Sequence, residues 1–135
     1  MATIDVSDVI VDALNNHWST AHPGWQAVLL VDDDFKPSST PVVLIADDGG
    51  AAVYSGPWML GKTLRRMTVR LTAFARDRDV ARSSVEAAVD RLIANRPAGI
   101  TRIEDVSDPL ITRDGDTDAF LASITMPVLV RPTTS

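Results

Sequence analysis

The chain has 135 residues, 45% of them hydrophobic, a formal net charge of -5 and no cysteine. That length suits one domain, 1–135, able to bury roughly two-thirds of its unfolded surface, and the missing cysteines exclude disulfides, thiolate metal sites and thiol nucleophiles. The acidic balance disfavours a nucleic-acid-binding face, because duplex affinity comes largely from lysine and arginine neutralising phosphates.

Met1 to Asp5 lacks a basic leader, and no window approaches the roughly 20 apolar residues of a membrane span, so the expectation is a soluble protein without a classical export signal. Val6, Val9, Ile10, Ala13 and Leu14 follow helical spacing and predict a helix over about residues 5 to 16, with Asp5 and Asp8 in a capping arrangement. His17 to Gly24 reads as a polar connector ending in Pro-Gly, and Trp25 to Val31 as a strand. Asp32 to Thr40 reads as a turn. Pro41 to Ala46 is a continuous apolar run too short for a helix, which predicts a central strand buried on both faces. Ala51 to Ser55 predicts a short strand, followed by a loop carrying Trp58, Met59 and Leu60.

The clearest signal is a change of hydrophobic period at Arg76-Asp77. Before it, Met67, Val69, Leu71, Ala73 and Ala75 alternate with Arg66, Thr68, Arg70, Thr72 and Arg76, Phe74 being the one bulky apolar exception on the polar side. That is a half-buried strand. After it, Ala81, Val85, Ala88, Val89 and Leu92 recur at steps of three and four, opposite Arg78, Arg82, Glu86 and Arg91. That is an amphipathic helix, capped by Asp77 or Asp79, with Arg82 and Glu86 paired one turn apart and a stop at Asn95, Pro97 and Gly99. Ile100 to Val106 predicts a strand, and Asp108 to Asp118 a polar connector. In the last strand Phe120, Ala122, Ile124, Met126, Val128 and Val130 share one side, and Pro127 predicts an edge position or a bulge. The fold class is therefore α+β, a mixed, mostly antiparallel sheet with two amphipathic helices packed against it.

Gly56 to Thr63 formally matches a phosphate-binding loop of nucleotide hydrolases. Such a loop needs converging backbone N–H groups and a helix directly after it, whereas Pro57 has no N–H and the following residues alternate as a strand. Asp32-Asp33-Asp34 and Asp114 to Asp118 could be calcium loops, but the second lacks a closing glutamate and has the Asp-Gly chemistry of a turn. His17 and His22 have no partner cluster, and no hydrolase triad or nucleophile elbow is legible. No catalytic residue, metal site or cofactor is expected. Trp58, Met59 and Leu60 read either as core folded back or as an interface anchor, flanked by Lys62, Arg65 and Arg66.

The order of these elements resembles the tail terminator (tail completion) proteins of long-tailed, siphovirus-type bacteriophages. The resemblance rests on the N-terminal helix with Asp5-Val6-Ser7-Asp8-Val9, the run Met67 to Arg76, the helix Asp79 to Leu92, Gly99 to Glu104, Ser107-Asp108-Pro109 and the closing strand to Pro132. It spans nearly the whole chain and is one of layout, without a diagnostic motif. It implies a virion protein, assembled in the host cytoplasm into a hexameric ring at the head-proximal end of the tail. There it would stop tube polymerisation and meet the tail tube protein and a head-tail connector protein, with genomic DNA only passing through. Neck proteins share the same small plan, so a head-to-tail connector is the alternative, and a nucleotide-binding enzyme a remote one.

Overall fold

The computed structural model describes residues 5–31, 40–47, 51–54, 63–115 and 118–130, with 51–54, 63 and 64 as backbone alone. The turn expected over Asp32 to Thr40 lies outside these residues except for Thr40, as does the loop residue run 55–62. Among the described residues the order is α1 (Val6–Ala21), β1 (Gln26–Val28), β2 (Val42–Asp47), β3 (Ala51–Tyr54), β4 (Thr63–Ala75), α2 (Arg78–Ala94), β5 (Ile100–Ile103), β6 (Leu110–Arg113) and β7 (Phe120–Val130). The fold is α+β, with one mixed and mostly antiparallel sheet.

α1 begins where expected: Asp5 caps it, its carboxylate accepting from the Asp8 N–H at 3.2 Å. It runs five residues further than its predicted end. Val6, Ile10, Leu14 and Trp18 form a stripe at steps of four, all essentially removed from water. Burial of the Trp18 indole outweighs the weak helix propensity of His17, Ser19 and Thr20, so the predicted connector is mostly helix. The helix stops at His22, whose N–H returns to the Trp18 carbonyl, followed by Pro23 and by Gly24 at φ +99°.

β4 and β7 are the spine, paired antiparallel over eleven positions from Arg65↔Val130 to Ala75↔Phe120. β2 and β3 lie one after the other along one edge of β4, and β5 and β6 lie along the free edge of β7. The register shifts by one between the first two, since Asp47 opposes Val69 and Ala51 opposes Arg66. β1 pairs parallel to β2 and closes that side. It is shorter than Trp25 to Val31, and Leu29 and Leu30 beyond it are exposed.

The alternation in β4 and β7 holds in full. Met67, Val69, Leu71, Ala73 and Ala75 meet Ala122, Ile124, Met126, Val128 and Val130 in a core closed by Ala81, Val85, Ala88, Val89 and Leu92 of α2. β2 differs from its reading: it is buried on one face, by Val43 and Ile45, while Val42 and Leu44 are only half-buried. Both helices therefore sit on the same side of the sheet. α2 starts at N-cap Asp77, whose side chain makes no capping bond, and its predicted Arg82–Glu86 pair forms at 2.9 Å.

One strand lay inside a segment read as irregular, and one strand residue differs from its reading. Leu110–Arg113 of the expected connector is strand β6, joined to β7 by a turn in which Asp114 N–H donates to the Ala119 carbonyl and Asp118 takes φ +60°. Pro127 is neither on an edge strand nor at a bulge. It pairs with Thr68 in the centre, and its carbonyl accepts from Glu104 N–H at 2.8 Å. Its nitrogen faces that same side, where residues 104–109 are not strand and no ladder donor is demanded of it.

Candidate interface

Helices cover one face of the sheet; among the described residues no element lies over the other. The strand register sets out that bare face row by row. Val42, Phe74, Leu121 and Thr112 form one row and Leu44, Thr72, Ser123 and Leu110 the next. Thr72 and Ser123 hydrogen-bond across the strands at 3.1 Å, which satisfies a threonine that is nearly buried. This end of the face is apolar with hydroxyls between: Val42, Leu44, Phe74 and Leu121 are half-buried, and Leu110 is 67% exposed.

The other end is cationic. Arg70 opposes Thr125, and Arg66, Leu129 and Arg102 form the last row across three strands. All three arginines are exposed. Arg66 Nε lies 3.5 Å from Glu104 Oε2, an ion pair open enough to water to contribute under about 1 kcal/mol. Arg70 and Arg102 make no ion pair among the described residues. Arg102 also borders a shallow depression with Arg96, Ile93, Ile103 and Val106, where Ile93 is half exposed.

Of the residues singled out from sequence, Arg66 is placed at the cationic end of this face, while Arg65, also exposed, pairs with Val130 and so lies on the side of the sheet that carries the core. Trp58, Met59, Leu60 and Lys62 lie outside the described residues, in the stretch joining Tyr54 to Thr63. Arg70 and Arg102 were missed. Their signal, arginines on the polar side of two strands, was visible, but only the pairing of β4, β7 and β5 brings them together. The phosphate-loop match ends at Thr63, which opens the thirteen-residue strand β4 in place of the helix such a loop requires.

The reactive residue types are dispersed. Among the described residues no group of three or more metal-capable side chains occurs. Asp118 accepts from Arg113 at 2.9 Å, and Asp32-Asp33-Asp34 lies outside the described residues. His22 stacks on Trp25 with ring centroids 3.8 Å apart, and Trp25 meets Trp18 edge-on at 5.6 Å. His17 lines a shallow groove between the helices with Ala13, Asn16, Thr20 and Arg91. Its pKa is lowered, first by partial desolvation, then by Arg91 and then by His22. Neither helix is long and apolar enough to cross a membrane.

The class defined by this architecture is a small α+β domain whose two described helices cover one face of its sheet. No protein-family profile matches the chain, and no curated protein sequence matches it.

Proposed function

We propose that this chain is a virion structural subunit, a ring-forming tail terminator that caps the tail tube, ends its polymerisation and joins the tail to the head connector. The observation that carries the reading is the sheet face that no described helix covers, which runs from half-buried Leu44 and Leu121 to the exposed arginines Arg66 and Arg70. A face of that kind, apolar at one end and cationic at the other, suits burial against a protein surface. The order of elements, with a long strand, a second helix and a closing strand, is the layout on which the resemblance to tail terminators rests. The subunit's role is then one of shape and contact, with no chemical step.

The test is location. With the protein labelled in assembled particles, electron microscopy should find it at the head-proximal end of the tail, and detached tails should retain it. A protein that stayed with capsids and was absent from tails would turn the assignment to a head-to-tail connector. Absence from particles altogether would end the reading.

A further inference from the structure

Charge is segregated along this chain. Residues 1–61 hold eight acidic residues against the single Lys36, and residues 62–135 hold ten against twelve basic ones, so -7 and +2 make up the net -5. The fold turns this into two surfaces. α1 contains no lysine or arginine, and with its inner stripe in the core it presents Asp5, Asp8 and Asp12 outward, all exposed. The bare face of the sheet presents Arg66, Arg70 and Arg102 on the far side of the domain.

We propose that these two surfaces bind each other between copies: the acidic stripe of α1 in one copy seats on the arginine-bearing end of the sheet face in the next. Within one chain they cannot meet, because the sheet and core lie between them. Nor can a two-fold dimer satisfy both, since each copy would have to turn opposite sides to its partner at once. The contact is head to tail, and repetition either closes a ring or extends a filament. Glu104 engages Arg66, and Asp105 follows it, but Arg70 and Arg102 make no ion pair among the described residues. Complementary charge steers the encounter and fixes its orientation, while Leu129, half-buried between Arg66 and Arg102, supplies apolar contact at the centre. The inference deepens the self-assembly part of the proposed function and rests on it.

The experiment uses two charge-reversed full chains, Asp8→Arg/Asp12→Arg and Arg66→Asp/Arg70→Asp, leaving the Asp5 cap in place. Sedimentation at low salt should show each variant self-associating at least about tenfold more weakly than the unaltered chain. An equimolar mixture should assemble again, because the reversed α1 matches the reversed sheet face and the two unaltered surfaces match each other. Salt should weaken the unaltered assembly. If the arginine variant fails to fold by circular dichroism, Arg70→Gln/Arg102→Gln replaces it, with weakened association expected. A monomeric unaltered chain, full assembly by both variants, or folded variants that the mixture does not rescue would each overturn the contact. Rings that persist at the tail in the charge variants would remove this contact and leave the terminator reading standing, whereas rescue by mixing in a protein absent from tails would do the reverse.

Discussion

Asn15 of α1 holds both backbone groups of Ala27 in the edge strand β1: its Nδ2 donates to the Ala27 carbonyl at 3.0 Å, and the Ala27 N–H donates to its Oδ1 at 2.8 Å. A side-chain amide thus stands in for a neighbouring strand and blunts an edge that would otherwise invite another chain. Asn15→Ala should cost about 1–3 kcal/mol, the usual penalty for stranding a partly buried donor and acceptor. Asn15→Asp should also destabilise, because a carboxylate cannot donate to the carbonyl. Urea unfolding midpoints check both, and an unchanged midpoint would show that water replaces the amide at no cost.

Among the described residues Trp18 is the largest fully buried side chain, closing the α1 stripe against Trp25. Trp18→Ala should lose about 3–5 kcal/mol, as large aromatic deletions in cores do. Trp25→Ala, removing a ring only partly buried against the core, should lose clearly less. Equal losses from the two in denaturant titrations would contradict the packing described.

His17 links stability to pH. Its folded pKa lies below the ordinary 6.5, so the folded chain takes up this proton less readily than the unfolded chain. The stability it allows is complete above about 6.5 and declines as pH falls toward the lowered folded pKa. His17→Gln should flatten that part of the pH–stability curve. In NMR titration Arg91→Gln should raise the His17 pKa, and no change would remove Arg91 as a cause.

Trp58→Ala should weaken assembly more than it lowers subunit stability. Sedimentation and thermal unfolding of the same preparation separate the two: a large loss of stability with assembly intact among folded molecules would identify Trp58 as core.

Because β4 begins at Thr63, Lys62 has no helix N-terminus behind it, and calorimetry should detect no ATP binding. Binding that Lys62→Ala abolished would revive the enzymatic alternative.

Much of the fold was legible because its spine carries clean period-two and period-3.6 patterns: every apolar position assigned to the inner sides of β4 and α2 is buried. The misreadings share a cause. His17 to Ala21, the shortened β1 and Leu110–Arg113 owe their states to tertiary packing or pairing, which local composition does not carry. Of the residues named from sequence, only Arg66 is seen on the candidate interface. Arg102 joins it through register across three strands, a relation with no signature in linear sequence.

Pro127 bears on how the chain avoids misfolding. The β4–β7 pair is long and repetitive, and a slip of two residues would keep every apolar side chain on its proper side, so hydrophobic pattern alone does not forbid it. A slip of two would bring the proline nitrogen either to the register of Leu129, opposite Arg102 of β5, or to that of Thr125, whose N–H donates to the Ser107 hydroxyl, and forfeit a bond there. The gap between β5 and β6 therefore acts as a keyway that admits β7 in one alignment.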